Sequence, residues 1–375
     1  MNNVKFDIVH SLSGIKAEDW NSLNNGHTVT SYEFLAALEE TQNVGEQSGW
    51  LPSHLIATSS ERLVGAVPLY IKTHSYGEYI FDWAWADAYH RSGLDYYPKL
   101  VSAVPFTPTT GPRLLAADAE IKNALANATL SFAKDNQLSS FHCLYPEIED
   151  LLVWENAGCL LRKSIQFHWT NQNYENFTHY LSSMKSAKRK KIKQERKRLI
   201  DNDLSFKIIS GDQACQDEWE FFYDCYQHTY AIRGSNPYLN FNFFLELKNK
   251  LGKDTLLIIA SQSGHRVATA LNILSNDTIL GRYWGAKEYI PGLHFETCYY
   301  QTIEYAIEHG YKKFEGGAQG EHKLSRGLEG VETNSAHWLA HPQFSDAVGN
   351  FLDREGAAIG EYHENLVTRT PFKTL

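Results

Sequence analysis

Residues 281–327, GRYWGAKEYIPGLHFETCYYQTIEYAIEHGYKKFEGGAQGEHKLSRG, hold the densest cluster of structural signals in the chain. Glycine and proline punctuate this segment, and apolar residues recur between them at spacings typical of regular structure. In order, it predicts a strand that carries Arg282 and Trp284, a turn at Pro291-Gly292, a helix from about His294 to His309, a short strand around Lys313–Glu315 and a glycine-rich loop that ends in Glu321-His322-Lys323. This order of elements is typical of a mixed α/β sheet.

The start of the predicted helix is a candidate anion site. The first N–H groups of a helix have no partner within it, and the helix dipole is positive there. Gly292, His294 and Glu296 lie at this start and are candidate donor-binding residues. Glu296 would place a negative charge beside a bound phosphate, and the alternative is that it is only a favourable first-turn acid.

The glycine-rich loop is the candidate catalytic element. Its candidate residues are the glycines Gly316, Gly317 and Gly320, which allow close approach to a ligand, and the catalytic set Glu321, His322, Lys323 and Arg326. Transfer of a group to an amine needs a base with a pKa near 7 and a cation that stabilises an oxyanion. Glu321 or His322 could be the base, and Lys323 or Arg326 the cation. The alternative is a solvated charged turn.

Two further segments suggest ligand contacts. Arg282 and Trp284 share one face of their predicted strand, which suits an adenine or a phosphate, or simply an arginine packed on a tryptophan. In the first half, a strand predicted over Tyr79–Trp85 places Trp85 on one face and Asp82 on the other, and a proline-stiffened loop ends in Arg113. These three residues are candidate cleft-lining groups, and the alternative is a buried ring face with solvated acids.

An internal repeat is visible at an offset of 203 positions. The β-hairpin predicted over 55–72 falls on a second hairpin over 258–274, and a helix predicted over 96–103 falls on the helix that starts at His294. At the same offset, positions 321–323 fall on 118–120, where neither the glycines nor the imidazole is present. The repeat predicts two related α/β units, of which only the second carries the catalytic-type loop.

The charge of the chain is unevenly distributed. The net charge is −9, yet residues 185–198, KSAKRKKIKQERKR, hold nine of the 35 basic residues and a single acid, Glu195. The remaining 361 residues hold 26 basic and 43 acidic side chains, which argues against general nucleic-acid binding. The basic segment is either a solvated helix face or a site for a local anionic ligand such as RNA or phosphate.

Several classes of protein are disfavoured by what the sequence does not contain. There is no P-loop, no dinucleotide fingerprint, no H-E-x-x-H and no zinc-type cysteine spacing, so we expect no metal site and no tightly bound cofactor. No apolar run approaches the length of a membrane span, and the first residues lack the pattern of a signal peptide. We therefore expect a cytoplasmic protein without a membrane span.

Three segments resemble a bacterial family that is grouped with the Fem peptidoglycan-bridge aminoacyltransferases and, more widely, with the GNAT acyltransferases. They are SYGEYIFDWAWADAYHRSGLDYYPKLVSAVPFTPTTGPRLL (75–115), GRYWGAKEYIPGLHFETCYYQTIEYAIEHG (281–310) and FEGGAQGEHKLSRG (314–327). The resemblance implies two tandem GNAT-like domains, each a central mixed sheet flanked by helices, over 1–172 and 173–375. It also implies an N-acyltransferase whose donor is acyl-CoA or aminoacyl-tRNA and whose acceptor is a small-molecule or peptide amine.

The family's site patterns carry over in part. Many GNAT enzymes hold the CoA pyrophosphate with a Q/R-x-x-G-x-G/A loop, and the equivalent segment 289–294 matches only at Gly292. This departure argues against standard acetyl-CoA binding, so acyl-CoA remains only a candidate co-substrate. His322-Lys323 with Gly327 resembles the Lys-before-Gly element of Fem-like proteins, and 185–198 resembles the basic segment that opens their second domain. We therefore predict an acyl or aminoacyl transferase, with a non-catalytic GNAT-scaffold module for a nucleotide or RNA as the alternative; a homodimer is left open.

Overall fold

The computed structural model describes residues 4–318 and 320–373 as two compact units. The first unit comprises residues up to Ser164 together with Glu332–Glu361, and the second comprises Ile165–Val331 together with the residues from Tyr362 on. The stretch Glu332–Glu361, which lies within the sequence range expected for the second domain, belongs to the first unit. It does so because its strand pairs there with the strand Ser140–Leu144.

The strands of the described residues are numbered in chain order. They are β1 (Lys5–Val9), β2 (Trp50–Pro52), β3 (His54–Ser59), β4 (Arg62–Val67), β5 (Tyr70–Lys72), β6 (Lys99–Ser102), β7 (Ser140–Leu144), β8 (Leu160–Thr170), β9 (Leu204–Ser210), β10 (Thr255–Gln262), β11 (His265–Ser275), β12 (Thr278–Ala286), β13 (Lys313–Glu315) and β14 (Glu329–Leu339).

The helices are numbered in the same way, with α10 built from three consecutive segments. They are α1 (Ala17–Asn21), α2 (Tyr32–Glu40), α3 (Trp83–Arg91), α4 (Ala119–Asp135), α5 (Ile148–Asn156), α6 (Phe177–Ser183), α7 (Ser186–Asp201), α8 (Gln216–Ile232), α9 (Phe241–Leu251), α10 (Leu293–Phe295, the π-helical Glu296–Tyr300, and Gln301–Glu308) and α11 (Pro342–Thr368).

The first unit contains a parallel strand pair joined by a helix. β6 and β7 run parallel, with Leu100 opposite Phe141, and α4 connects them, because parallel neighbours need a long crossover. On its other side β7 pairs with β14 in the antiparallel sense. The side-chain carboxylate of Asp118 caps α4 by accepting from the N–H of Glu120.

The second unit has the same arrangement with different residues. β12 and β13 run parallel, with Thr278 opposite Lys313, and α10 connects them. β13 pairs with β8 in the antiparallel sense, and β9, β10, β11 and β12 follow one another as antiparallel neighbours. Apolar residues of α10, such as Ile303 and Ile307, are buried in one core with residues of β8 and α6. Spaced four apart, they lie on one helix face.

The strands and the helix predicted over 281–315, and both hairpins, are confirmed. Strands β3 and β4 form the first hairpin, and β10 and β11 form the second. The predicted strand with Arg282, the helix over 294–309 and the strand over 313–315 correspond to β12, α10 and β13. The fold class, mixed α/β with sheets flanked by helices, is confirmed as well.

The predictions for 79–103 are wrong. The strand expected over Tyr79–Trp85 is replaced by α3, and the helix expected over Tyr96–Ala103 is replaced by β6. The alternating rings resemble a strand pattern, but the alanines between them favour a helix. In this helix Trp85 and Tyr89, four residues apart, lie on the buried face.

The offset of 203 therefore holds for the hairpins and fails after them. By topology β6, α4 and β7 correspond to β12, α10 and β13, and the start of α4 at Asp118 corresponds to the start of α10 at Gly292. The match of positions 321–323 to 118–120 is wrong. The catalytic-type loop follows β13, and its counterpart in the first unit is the segment that follows β7.

Candidate functional site

The loop that follows β13 buries a lysine. Lys323 is 3% exposed, and its Nζ donates to the carbonyl oxygens of Gly317 (2.9 Å) and Ala318 (3.1 Å). Gly316 makes room for it, since a Cβ there would lie 3.3 Å from Lys323 Cδ and 2.6 Å from Leu328 Cδ2. Burial lowers the pKa of Lys323 to about 8, against a smaller opposite effect of Cys298. The ammonium is thus protonated at neutral pH and retains a third N–H.

His322 is exposed beside this lysine. Its Nε2 lies 3.1 Å from the hydroxyl of Tyr299, and Nδ1 makes no hydrogen bond within the described part of the chain. Partial burial lowers the pKa of His322, and the positive charges of Lys323 and Arg326 lower it further. The imidazole is therefore neutral at pH 7 and able to accept a proton. Gly320 has φ +122°, and a Cβ there would lie 2.6 Å from the His322 ring.

An aromatic wall adjoins His322. The ring of His294 lies 6.0 Å from that of His322, 5.4 Å from that of Tyr299 and 5.2 Å from that of Trp284. Burial lowers the pKa of His294 to about 4, with neighbouring positive groups adding to the effect. His294, Trp284 and His322 are thus brought together as predicted site residues, and His294 is a neutral ring of the wall.

Arg326 fixes the turn Glu321–Arg326, which carries His322 and Lys323. Its guanidinium lies 3.6 Å over the ring of Phe295, donates to the backbone carbonyl of His322 (3.0 Å) and pairs with Glu195 of α7 (3.3 Å). Of the two cations proposed for the oxyanion, Arg326 is thus already engaged by protein groups. Lys323 retains a third N–H, and the buried Nε–H of Arg326 has no hydrogen-bond partner among the described residues.

The negative charge at the start of α10 is neutralised. Glu296 is buried and accepts from Arg196 Nε at 2.9 Å, while another nitrogen of Arg196 binds Glu304 at 2.7 Å. Gln301 donates to the same Glu296 oxygen at 2.8 Å. Burial raises the pKa of Glu296, and Arg196 opposes that shift. Glu296 is therefore a structural ion-pair partner, while Gly292, with φ +91°, begins the helix without a side-chain cap.

Arg282 does not share a face with Trp284 as predicted. The register of β11 and β12 shifts between Leu271 and Asn272, which leaves Arg282 as an additional residue in its strand. The bulge breaks the two-residue alternation, and the Arg282 guanidinium lies over the ring of Tyr283, 5.0 Å from its centroid.

The basic segment forms α7 and uses its acid and one arginine as anchors. Glu195 accepts from the hydroxyl of Tyr300 at 2.7 Å, and Arg196 makes the ion pairs described above. An i,i+4 pair of 4.0 Å links Lys191 to Glu195. Among the described residues, six other cations of this helix have no carboxylate within 4.0 Å: Lys188, Arg189, Lys190, Lys193, Lys197 and Arg198.

A recess of about 490 Å³ joins α7 to the turn that carries His322. It is lined by Lys188, Glu321, His322, Leu324, Ser325 and Arg369. Glu321 is exposed, and its two oxygens accept from the hydroxyl of Tyr362 (2.9 Å) and from Arg369 (2.8 Å). The hydrogen bonds from Arg369 and Tyr362 lower the pKa of Glu321, which is ionised at neutral pH. Glu321 is thus an anion of the recess that is held in place by two hydrogen bonds.

The predicted residues of the first unit are buried. Asp82 accepts from Lys99 (2.5 Å) and from the hydroxyl of Tyr96 (2.6 Å), so the alternative of a solvated acid is wrong. Trp85 packs on the ring of His337, 4.9 Å away. Arg113 is 0% exposed and donates to the carbonyls of Leu144, Pro112 and Thr109. The Arg113 guanidinium is therefore committed to holding its own loop.

Comparison with known families identifies the chain. The profile of the FemAB-like family, described as peptidoglycan biosynthesis/recognition, matches residues 11–374. The chain belongs to the FemAB-like family. No curated protein matches it.

Solved structures share the fold of this FemAB-like protein. FemX aligns with a TM-score of 0.55 at 10% identity over 92% of this chain and 100% of its own. L-PGS from Bacillus licheniformis aligns with a TM-score of 0.51 at 11% identity, over 84% of this chain and 95% of its own. The C-terminal domain (DUF2156) of a protein named as a lysylphosphatidylglycerol synthetase from Agrobacterium fabrum aligns with a TM-score of 0.50 at 11% identity, over 76% of this chain and 84% of its own. At these identities the likeness extends to the fold alone.

Two absences concern the described part of this FemAB-like chain. Within residues 4–318 and 320–373, no helix has the length and apolarity that crossing a membrane requires. The same residues contain no group of three histidine, cysteine or carboxylate side chains placed to hold a metal ion.

Sequence reasoning missed the residues that the FemAB-like fold brings to the recess from a distance. Arg369 and Tyr362 come from the C-terminal end of the chain, and no local pattern links them to Glu321. The hydrogen bond between Tyr299 and His322 was not predicted either, although both residues lie within 281–327. A helix that turns by π-type bonds over Glu296–Tyr300 changes which ring faces the loop, and spacing rules for an α-helix do not anticipate it. Gln319 of the predicted loop lies outside the described residues.

Proposed function

We propose that this FemAB-like chain is an aminoacyltransferase that moves an aminoacyl group from a charged tRNA to the amine of a small-molecule or peptide acceptor. The observation that carries the proposal is that Lys188 of α7 and His322 of the turn line the same recess. The recess would thus bring one cation of the basic helix beside the candidate base, which directly precedes the buried Lys323 in the sequence.

The exposed side of α7 favours an RNA donor. Lys190, Lys193 and Lys197 are exposed and lie opposite the buried Ile192 and Leu199. Cations in such a row suit successive phosphates, and mutual repulsion of unpaired charges is relieved when a polyanion binds. A helix that binds a membrane surface would present apolar residues on its exposed side. Here the residue among these lysines is the polar Gln194, which argues against a membrane partner.

His322 and Lys323 would carry out the chemistry. The acceptor nitrogen attacks the ester carbonyl, a C–N bond forms, and the carbon–oxygen bond to the ribose breaks. His322 takes the proton from the attacking amine and returns it to the departing ribose oxygen. The remaining N–H of Lys323 stabilises the negative charge that develops on the carbonyl oxygen. No metal is required for this sequence of steps.

The acceptor follows from the family rather than from the geometry. The family's description, peptidoglycan biosynthesis/recognition, supports an amine of a peptidoglycan precursor as the acceptor. An acyl-CoA donor has less support, since only Gly292 of the segment 289–294 matches the usual CoA loop.

Binding experiments test the donor class. We expect charged and uncharged tRNA to raise the Tm of the full chain at low salt, and acetyl-CoA to leave it unchanged. Replacing Lys190, Lys193 and Lys197 by Glu should abolish the shift. The matched control replaces three other exposed lysines, Lys16, Lys134 and Lys253, by Glu. It changes the net charge by the same amount and should retain the Tm shift. Stabilisation by acetyl-CoA and not by tRNA, or equal loss in both triple variants, would contradict the proposal.

A further inference from the structure

Glu321 is an exposed carboxylate whose position is nevertheless fixed. About half of its side chain is accessible (47%), yet Tyr362 and Arg369 each hold one of its oxygens. Each carboxylate oxygen can accept more than one hydrogen bond, so capacity remains on the side that faces the recess. A charge held in this way is a ready partner for a cation that enters the recess, because neither oxygen has to be reoriented.

The recess presents charges of both signs. Lys188 has no carboxylate partner among the described residues, and it lines the recess together with Glu321. Leu324 and Ser325 lie between the polar groups, and the volume of about 490 Å³ falls within the range of pockets that hold a small ligand. Arg369, which pairs with Glu321 at 2.8 Å, lines the recess as well. A ligand that carries a cation and an anion at separate places would match both Glu321 and Lys188.

We propose that this recess binds the aminoacylated end of the donor, with Glu321 holding the free α-ammonium of the aminoacyl group and Lys188 holding the phosphate next to the terminal ribose. The proposal rests on the proposed function and names the feature by which the donor is selected. An aminoacyl ester has both charges, whereas a simple acyl group has no ammonium. His322, which lines the same recess, would then lie beside the ester.

This assignment explains why Glu321 adjoins the candidate base without acting as one. Its hydrogen bonds from Arg369 and Tyr362 keep it ionised, and an ionised carboxylate accepts from an ammonium with a strong charge-assisted hydrogen bond. Loss of one such bond typically weakens binding by about 10-fold or more. Discrimination of that size against acyl groups without an amine is what the recess should provide.

The test uses stable donor-end analogues and the full chain. The probe is 3′-(L-alanylamido)-3′-deoxyadenosine 5′-monophosphate, in which an amide replaces the ester, and its control is the same compound with the amine acetylated. Calorimetry should give the free amine at least about 10-fold tighter binding in the wild type and no preference in Glu321→Gln. Lys188→Ala should keep the preference for the amine and lose the advantage of the monophosphate over the nucleoside.

The outcomes separate the two proposals. Equal affinity for the free and acetylated compounds in the wild type, an unchanged preference in Glu321→Gln, or binding of neither compound would overturn the recess assignment. Aminoacyl transfer from charged tRNA, measured separately, addresses the proposed function. Transfer with equal affinities would defeat only the recess assignment, and amine-selective binding without transfer would defeat only the proposed function. A Tm of Glu321→Gln equal to that of the wild type excludes misfolding as the cause.

Discussion

Lys99 in the first unit and Lys323 in the second are both buried lysines, and their surroundings differ in one respect. Lys99 donates to two carboxylates, Glu78 (2.8 Å) and Asp82, whereas Lys323 donates to two backbone carbonyls. Burial lowers the pKa of each, but Glu78 and Asp82 outweigh it at Lys99, whose pKa is raised. At Lys323, where no carboxylate partner is present among the described residues, the pKa falls to about 8. Burial with counter-charges keeps Lys99 a firmly protonated structural cation, whereas burial without them leaves Lys323 with a lowered pKa.

The two units differ in the same way at the crossover helix. Asp118 supplies a carboxylate to the first N–H groups of α4, while Gly292 supplies nothing to those of α10. The connection of a parallel pair by a helix is common to both units and specifies no function. What distinguishes the second unit is the loop after β13.

The largest expected effect is on stability, in the first unit. Lys99→Met should lower the free energy of unfolding by about 3–5 kcal/mol, because it leaves Glu78 and Asp82 buried without the cation that both bind directly. Urea unfolding of the full chain measures it. The control Lys163→Met removes a half-exposed lysine paired with Glu332 and should cost less than about 1 kcal/mol. Equal losses in both variants would show that Lys99 is not the structural cation described.

The next effect is on transfer, in the second unit. Lys323→Met should lower the rate of aminoacyl transfer by about 100- to 1000-fold, the usual cost of removing one oxyanion donor. Its free energy of unfolding should change far less than that of Lys99→Met, since no buried carboxylate loses its partner. Initial rates and urea curves on the same preparations measure both quantities. A variant that unfolds like Lys99→Met, or transfers at the wild-type rate, would remove the contrast between the two lysines.

The pH dependence sharpens the comparison. The rate should rise as His322 loses its proton, below the ordinary histidine value because its pKa is lowered, and fall as Lys323 loses its proton near its pKa of about 8. Lys323→Arg should remove the alkaline fall, since a guanidinium stays protonated. The pH–rate profile of both proteins is the measurement. If the rate of Lys323→Arg still falls near pH 8, the fall is caused by the titration of another group.

The smallest effect concerns the tether between α7 and the turn. Glu195→Gln weakens the contacts to Arg326 and Tyr300 without touching the recess, and should lower transfer by about 3- to 10-fold, or roughly 1 kcal/mol. The Kd for tRNA should improve slightly, because one acid leaves a basic helix. Rates measured at saturating tRNA report the effect on transfer separately from the effect on the Kd. A weaker Kd with an unchanged rate would mean that Glu195 orients the helix and not the turn.

Much of the second unit could be predicted from the sequence, and the reason is local. Turn residues bracket β12, α10 and β13, and the periodicity of Ile303, Ala306 and Ile307 is that of a helix with one buried face. In the first unit, alternating rings over 81–85 imitated a strand, and only the packing of Trp85 and Tyr89 in one core decides for the helix. Propensity alone does not settle so short a segment.

The candidate site was predictable in its chemistry and not in its assembly. His322, Lys323 and the glycines around them stand together in the sequence, so their proximity required no knowledge of the fold. The hydrogen bond of His322, the ion pair of Arg326 and the ion pair of Glu321 depend on Tyr299, Glu195 and Arg369, respectively. These partners are set by long-range contacts that no spacing in the sequence encodes.

The most direct test of the central claim is transfer itself. The full chain is incubated with tRNA charged with a labelled amino acid and with amine-bearing peptidoglycan precursors, and products are identified by mass spectrometry. We expect an aminoacylated precursor with the wild type, none with uncharged tRNA, and strongly reduced product with His322→Ala and with Lys323→Met. Product formation that is unchanged in both variants, or no transfer by a wild-type chain that binds charged tRNA, would contradict it.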